Sequence, residues 1–293
     1  MKLNVFVTLF VQTVVMLASI NMATAATSAN VPTATSTTLG ATPVAAAPSS
    51  DYHMSMSISR STNLIDFQDG SRSDSLDYSL APSMKTSFGT FAAALAYSQN
   101  LRDQYSRTAS DWSDIPVSFS FKPKVFKLAD RDAKISYSLS AVIPMSQYSV
   151  KKDQLQTAIS GKLGFSLSEA DGSGFGIVSG ISLGRNFHAF EEDINGNVLN
   201  QYSSNQNLGM SYTIGDWSLS ADFVNRTSMT YARNIKSSFE ISEELGYSLN
   251  SNITFALGHT NAGSTLKPNA ADSNVELYNE NTSIVYATMS LAY

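Results

Sequence analysis

The sequence predicts an all-β protein, a transmembrane antiparallel up-and-down β-barrel of about twelve strands. Three observations predict it. From Asp51 onward, apolar and polar residues alternate with a period of two through segments of about ten residues, the pattern of a strand with one apolar face. The connections between these segments are long and short in turn. Aromatic residues gather at the short-connection end, and no segment keeps a helical period.

The alternation reaches both ends of the predicted barrel. Met54, Met56 and Ile58 alternate with serines in the first segment, and the chain ends on ATMSLAY, where Met289 and Tyr293 share the apolar face. In water this terminal strand would be an exposed apolar edge that promotes aggregation. In a barrel it pairs with the first strand and contacts lipid, so we expect Tyr293 at the membrane interface.

The connecting segments fall into two length classes. The tight turns are expected at residues 81–83, 169–174, 215–216 and 248–252. The longer connections are expected at 100–114, 188–202 and 259–281, with moderate ones at 145–154 and 225–234. Short periplasmic turns opposite longer extracellular loops are typical of transmembrane β-barrels. Segment 122–132 is an exception, because it is long where the scheme requires a turn.

The aromatic residues support the same orientation. If the first strand starts at the periplasmic side, one set of outward-facing aromatic residues falls at the short-turn end. This candidate periplasmic girdle consists of Tyr52, Phe121, Phe175, Tyr212, Trp217, Tyr247 and Tyr293. Amphipathic rings favour the headgroup level of a bilayer, whereas a soluble sandwich would keep its large aromatic residues in mid-strand.

The N-terminal residues predict export and a linker. Residues 1–25 have the features of a secretory signal peptide, with Lys2 before an apolar run and an A-x-A cleavage pattern at its end. A membrane anchor is the alternative. Residues 26–50 are almost entirely small or polar and uncharged, which predicts a flexible segment, with a plug inside the lumen as the alternative. Residues 51–293 are the predicted barrel domain.

Residues 51–293 resemble the Gram-negative outer-membrane β-barrels. The resemblance rests on the signal peptide, the even number of alternating strands and the terminal MSLAY. It implies a location in the outer membrane of a Gram-negative bacterium, in contact with its lipid. In that class the barrel-assembly machinery reads the terminal aromatic residue, which here is Tyr293. The resemblance implies no particular activity.

The second face of each strand is predicted to line the lumen, and it consists mostly of Ser, Gly and Ala, as at Ser136, Ser138 and Ser140. Barrels of about eight strands are filled by side chains, whereas those of about 16–18 strands leave a channel. With about twelve strands the side-chain size decides. Small inward residues favour a narrow water-filled pore, and an occluded barrel is the alternative.

Few charged residues lie on this inward face. The candidate lumen-lining and constriction residues are Lys162, Asp222, Lys236, Glu240 and Glu244. A lysine facing lipid at the bilayer midplane costs about 2–4 kcal/mol, so these residues are expected in the lumen. They form either a constriction that selects permeant charge or a salt-bridge network across strands nine and ten. Glu243 shares the lipid-facing parity, which requires a position near the interface or a β-bulge.

Several other classes of function are disfavoured. The net charge of −5 gives no basic excess for nucleic acid, and the absence of Cys excludes disulfides and thiolate metal sites. His53 and Ser55 share a face without an acid placed to orient the histidine, so the sequence disfavours an outer-membrane hydrolase, and no enzyme is expected. Segment 191–202 faintly resembles a calcium loop but has Tyr202 where a bidentate Glu is needed. No metal or cofactor is expected.

The leading hypothesis is a monomeric outer-membrane barrel that forms a narrow pore for passive diffusion of small hydrophilic solutes. The alternative is a structural or surface-interaction barrel whose extracellular loops bind a partner.

Overall fold

The computed structural model describes residues 51–64, 73–101, 110–128, 131–169, 174–267, 269 and 272–293. Residues 1–50, where the signal peptide and the flexible segment are predicted, lie outside the described residues. The described residues form one antiparallel sheet of fifteen strands. In chain order these are β1 (Tyr52–Asn63), β2 (Asp74–Lys85), β3 (Gly89–Ala93), β4 (Leu95–Asn100), β5 (Asp111–Trp112), β6 (Ile115–Phe121), β7 (Lys124–Leu128), β8 (Arg131–Ile143), β9 (Leu155–Ser168), β10 (Gly174–His188), β11 (Asn200–Ile214), β12 (Trp217–Thr230), β13 (Ile235–Ser248), β14 (Ile253–Ser264) and β15 (Ser283–Ala292).

Some of these strands are consecutive pieces of one barrel strand. β3 and β4 both pair with β2, on either side of Ala94. β5 pairs with β4, β6 pairs with β3 and β8, and β7 pairs with β8, so these three pieces follow one another along a single position in the sheet. The sheet is therefore a closed barrel of twelve strands, as the sequence predicts.

The barrel closes between the last strand and the first. β15 pairs with β1 from Ser55 opposite Ala292 to Asn63 opposite Ile284, and β1 pairs with β2 on its other side. Beyond β15, the Tyr293 amide donates to the carbonyl of Met54 at 2.8 Å, and the Met54 amide donates to the carbonyl of Tyr293 at 3.0 Å. The predicted pairing of the C-terminal strand with the first strand is confirmed.

The prediction of a turn at residues 81–83 is wrong, because these residues lie inside β2. Pro82 suggested a turn, but one missing amide donor is tolerated at a single strand position. The connection lies after Lys85 instead, where the Thr86 hydroxyl donates to the carbonyl of Gly89 at 2.8 Å. The predicted turn at residues 215–216 is confirmed, and Gly215 has a φ of +57°, which suits glycine.

Three other connections are shorter than the sequence suggested. Segment 122–132 is mostly strand, since β7 continues along β8 and only residues 129–130 lie between them. Segment 225–234 is also mostly strand, and the Thr230 amide donates to the carbonyl of Asn234 at 2.9 Å across the remaining turn. His259 lies within β14 rather than in a loop. Polar residues at outward positions, such as Asn225 and His259, hid the second and third of these strand extensions, and a one-residue shift in register between β6 and β7 hid the first.

Large apolar side chains in mid-strand are exposed on the outside of the barrel. Leu139 is 55% exposed, and Leu163, Leu183, Leu219 and Leu257 are exposed as well. Among the described residues, the buried hydrophobic residues are only Ala133, Leu199 and Phe239. A soluble fold would bury such leucines in a core, so this surface requires an apolar surrounding.

The connection between β8 and β9 contains a short π-helical turn, Tyr148–Lys152. Within the described ranges, no helix has the length and apolar character needed to cross a membrane.

Leu139 and Ser138 test which strand face contacts lipid. Leu139→Arg places a charge on the exposed apolar surface and is expected to cost about 2–4 kcal/mol near the midplane. Ser138→Arg, on the other face, is expected to be much less harmful. The folded fraction in lipid vesicles, measured by heat-modifiable electrophoretic mobility, checks this. Equal tolerance of the two variants would reverse the assignment of the faces.

Candidate pore lumen and its surroundings

Small hydroxyl residues line much of the inner wall and bond to one another across strands. Ser57 and Ser79 lie 2.6 Å apart through their hydroxyls, and Ser140 and Ser160 lie 2.7 Å apart. These contacts lie along the wall because cross-strand neighbours on one face are adjacent. The wall is therefore hydrophilic without projecting long side chains inward at these positions.

Three of the candidate constriction residues lie together on β12 and β13. Asp222 is opposite Ser242, and Glu240 and Glu244 flank Ser242 at two residues on either side, so both are diagonal neighbours of Asp222. Glu240 is 3% exposed and accepts a 2.7 Å hydrogen bond from Arg226. This ion pair joins the ninth and tenth barrel strands, where a salt-bridge network was one of the two expectations.

Tyr286 completes this cluster and is not among the candidate residues predicted from the sequence. Its hydroxyl donates to Glu244 at 3.1 Å. Its ring lies over Gly258, where an added Cβ would collide with the ring. The signal was present in the alternation, because Val285 and Ala287 share the outward parity and Tyr286 is therefore a large side chain on the inward face.

Asp222 is accommodated by a second glycine. On the neighbouring strand β11, an added Cβ at Gly209 would collide with the Asp222 carboxylate. The acidic side chain and the tyrosine ring thus lie flat against glycines of adjacent strands. We name the surface formed by Asp222, Glu240, Glu244 and Tyr286 the acidic wall.

The two candidate lysines lie away from the acidic wall. Lys162 is on β9, opposite Ser138 and Ser182, three strand positions from β12. Lys236 is exposed near the start of β13, opposite Ser228, at the end that carries the longer loops. The structure therefore groups the acidic candidates but not the basic ones.

Six of the seven candidate girdle residues lie at the short-turn end of the barrel, at or near the strand termini, whereas Phe121 ends β6 and the same barrel strand continues through β7 to Leu128. Tyr52 and Tyr293 are 70% and 85% exposed. Trp217 and Tyr247 are directly opposite each other, with ring centroids 4.8 Å apart. Tyr212 is opposite Leu219 and Phe175, and Phe121 is opposite Gly89. Their role as an interfacial girdle remains a prediction.

A second group of rings lies toward the opposite end. Tyr78 is opposite Tyr97, and Tyr97 is opposite Trp112, with centroid distances of 6.4 Å and 5.2 Å. Trp112 falls within the long connection expected at residues 100–114, but it lies in the short strand β5. The short strand escaped detection because two residues cannot show a period.

Glu243 lies on the outward face in a continuous register, so the β-bulge explanation is wrong. It is directly opposite His259, and its Oε2 lies 3.8 Å from His259 Nδ1. His259 Nε2 lies 3.0 Å from the Ser283 hydroxyl, and Tyr278 stacks on the imidazole with ring centroids 6.2 Å apart. When His259 is protonated, this contact reduces the cost of an outward carboxylate in this position.

The connection between β14 and β15 folds back over the outside of the barrel. We name its residues 274–282 the strap. Asn261, on the outward face of β14, is 1% exposed, donates to the carbonyl of Glu276 at 2.7 Å and accepts from Thr282 at 2.5 Å. Ser283 is fully buried and accepts from the Asn279 amide at 3.1 Å. The Ser283 hydroxyl therefore ties the strap to the wall and is not accessible as a nucleophile.

The residues of the hydrolase hypothesis do not form a relay. His53 lies opposite Ser83 on β2, and Ser55 lies opposite Ala81 and Ala292. None of these directly opposite residues is an acid that would orient the imidazole.

Asp193 closes the loop in which a calcium site was considered. Its carboxylate is buried and accepts from the amides of Asn195 and Asn197, both at 2.8 Å. These hydrogen bonds, first that of the Asn197 side chain, lower the pKa of Asp193 to about 2. The carboxylate oxygens thus hold the loop. Within the described ranges, no group of three or more His, Asp or Glu residues is arranged to hold a metal ion.

The carboxyl group of Asp153, in the outer loops, lies in an environment that disfavours its charged form. Lys152 Nζ lies 3.7 Å from the Asp193 carboxylate. This ion pair joins the β8–β9 connection to the β10–β11 connection. Next to it, Asp153 has a buried Oδ1 without a hydrogen-bond partner among the described residues. Burial raises the pKa of Asp153 to about 6, with Lys152 opposing the shift and Asp193 and Asp114 adding to it.

A closed antiparallel barrel with an apolar exterior and a polar interior is the architecture of proteins that span outer membranes. The chain is an outer-membrane β-barrel protein.

Comparison with known proteins agrees at the level of the fold. No protein-family model matches the sequence, and no curated protein matches it. An outer membrane channel from Pseudomonas putida F1 is similar in structure, with a TM-score of 0.56 and 8% identity over 86% of this chain and 98% of that chain.

Two further solved structures match with lower scores. The KdgM porin has a TM-score of 0.44 and 9% identity over 82% of this chain and 99% of that chain. The Pseudomonas putida toluene transporter TodX has a TM-score of 0.37 and 11% identity over 84% and 90%. At these identities the similarities concern the fold and assign no solute to this chain.

Asn261→Ala tests the attachment of the strap. Removing the buried amide leaves its partners unsatisfied, which costs about 1–3 kcal/mol locally, so residues 274–282 are expected to exchange amide hydrogens faster. Asn281→Ala, which changes an exposed side chain of the strap itself, is the matched control. Unchanged exchange in Asn261→Ala would show that other contacts hold the strap.

Asp153 predicts a pH dependence of the outer loops. Its folded-state pKa of about 6 exceeds the ordinary value of 3.8. Ionisation of Asp153 therefore destabilises the folded conformation of the loop, fully above about pH 6, and this penalty disappears as the pH falls toward 3.8. Asp153→Asn is expected to raise the hydrogen-exchange protection of residues 144–154 most at about pH 8, less at about pH 5 and little at about pH 4.

Asp193 has the opposite effect on the pH dependence of loop stability. Its lowered pKa stabilises the loop above pH 3.8, and that stability is lost as the pH falls toward 2, outside the window of the measurement. Asp216→Asn, in a turn at the other end of the barrel, is the control. A pH dependence that is identical in wild type and Asp153→Asn would exclude Asp153 as its source.

Proposed function

We propose that the barrel forms a narrow water-filled pore for passive diffusion of small hydrophilic solutes. The observation that carries the proposal is the contrast between the two faces: exposed leucines outside, and hydroxyl, glycine and charged residues inside. Twelve strands enclose more space than the eight that side chains fill. Large inward side chains near the acidic wall lie against glycines, which keeps them close to the wall.

Charge would set which solutes pass. Lys162 lies on one part of the inner wall and the acidic wall lies on another, so a solute crossing between them meets a field across the pore. Charged side chains that line a constriction select permeant ions by sign. We propose Lys162, Asp222, Glu240 and Glu244 as the constriction residues, with Lys236 at the outer mouth.

Export, assembly and oligomeric state complete the proposal. We propose export by the signal peptide of residues 1–25, recognition of the C-terminal strand by the barrel-assembly machinery in a Gram-negative cell, and a monomeric pore. No catalysis and no cofactor enter this function.

Conductance of the purified protein in planar bilayers tests the pore. We expect discrete channel events in wild type and a smaller unit conductance in Ser182→Trp, because Ser182 lies opposite Lys162 on the inner wall. Ile181→Trp places the same ring on the outer surface and is the control. Absence of channel events, together with absence of sugar uptake by protein-containing vesicles, would exclude the pore.

One observation favours binding of a partner by the outer loops. Tyr148 and Val150 in one loop and Phe190 and Ile194 in the next are exposed by 48–64%. The two loops are joined where the Ile194 amide donates to the carbonyl of Lys152 at 3.3 Å. Exposed apolar patches on a rigid base mark interaction sites. A variant with all four residues changed to serine would lose surface binding while retaining conductance.

A further inference from the structure

We propose that the acidic wall is a binding site for small organic cations, solutes that carry an ammonium or guanidinium group. The inference rests on the proposed pore and names the class of solute that it prefers. The site consists of three residues of the acidic wall, Asp222, Glu244 and Tyr286, together with Thr260, whereas Glu240 is already paired with Arg226.

The carboxylates of this site are close together and incompletely neutralised. Asp222 is a diagonal neighbour of both Glu240 and Glu244. Arg226 pairs with Glu240. In the part of the chain that the structure describes, no basic side chain lies within ion-pairing distance of Asp222 or Glu244. Like charges this close repel one another in a partly buried setting, so a cation between them is stabilised.

Thr260 supplies a second and independent observation. It lies opposite Ser242, which is itself opposite Asp222, so it occupies the middle of the acidic wall between the levels of Glu240 and Glu244. It is 6% exposed, and its Oγ1 has no hydrogen-bond partner among the described residues. A buried hydroxyl without a partner is unfavourable, and an N–H donor from a bound solute would satisfy it.

The arrangement suits an organic cation better than a metal ion. Within the described residues no three acidic or histidine side chains converge tightly enough for a metal. The carboxylates are instead spread over diagonal positions, which are about 7–8 Å apart between Cα atoms. Separate N–H groups of an ammonium or guanidinium solute can bridge such a spread by charge-assisted hydrogen bonds. The Tyr286 ring adds an aromatic surface that attracts cations.

The position inside a pore limits how tightly the site should bind. A permeant solute must enter a favourable site and leave it again, so binding is expected to be weak. The Arg226–Glu240 pair above the site carries no net charge, so it adds no further attraction for the cation on that side. The site is therefore expected to hold a solute briefly during its passage through the pore.

The test uses the full-length protein in planar bilayers with 1,4-diaminobutane as the cation and 1,4-butanediol as its uncharged analogue. We expect the reversal potential in a KCl gradient to show cation preference. Diaminobutane should reduce the potassium current in a concentration-dependent way, and butanediol should not. In Asp222→Asn/Glu244→Gln we expect about a tenfold weaker block, because two charge-assisted contacts are lost.

Two further variants separate the site from general effects. Asp222→Glu/Glu244→Asp keeps both charges and should restore the block. Asp132→Asn removes an acidic group that pairs with Lys127 near the β7–β8 turn and should leave the block unchanged. Equal block in wild type and Asp222→Asn/Glu244→Gln, or an anion-preferring pore, would overturn the inference while the pore function stands.

A binding measurement that needs no current distinguishes failure of the pore from failure of the site. Diaminobutane should raise the thermal unfolding midpoint of the detergent-solubilised wild type and not that of Asp222→Asn/Glu244→Gln. A protein that shows this shift without channel events retains the site and refutes the pore. A protein that conducts without this shift and without block refutes the site.

Discussion

The closed backbone ladder is the constraint on which the structure depends. An unpaired amide or carbonyl in hydrocarbon costs several kcal/mol, so a sheet can span a bilayer only if it has no edge. Here the ring closes between β15 and β1, and the reciprocal hydrogen bonds of Tyr293 and Met54 extend the closure to the last residue. Because closure turns one face outward and one inward along every strand, the alternation of the sequence becomes a division between lipid and lumen.

This division is modified on β13 and β14. Their outward faces carry Glu243, His259 and Asn261, which would be costly against hydrocarbon. The histidine lies beside the glutamate, Tyr278 of the strap stacks on the histidine, and the strap covers the asparagine. A long connection that would ordinarily be read as a solvent-exposed loop is thus part of the barrel wall. Asn261 and the strap supply hydrogen-bond partners to each other, which explains why a polar residue is tolerated on this outward face.

Glycine has a related function on the inner wall. The small inward residues predict an open interior, and the structure adds that two glycines receive large neighbours. Gly209 leaves room for the Asp222 carboxylate and Gly258 leaves room for the Tyr286 ring. The glycines therefore determine how far the charged and aromatic groups project, and so the free cross-section of the lumen depends on pairs of residues across strands.

The sequence by itself determined the all-β class, the twelve alternating strands, the two faces and the pairing of the last strand with the first. These follow from a period of two and from the nature of the residues on each face. It failed where a strand contains a break, as at Pro82, where the register shifts between β6 and β7, or where a strand continues through polar residues, as in 225–230. Only the tertiary structure decided which inward residues meet: Asp222 beside Glu244, Arg226 with Glu240, Tyr286 with Glu244. A shift of two residues between neighbouring strands preserves the alternation and changes every cross-strand partner, so the pattern alone cannot select the register.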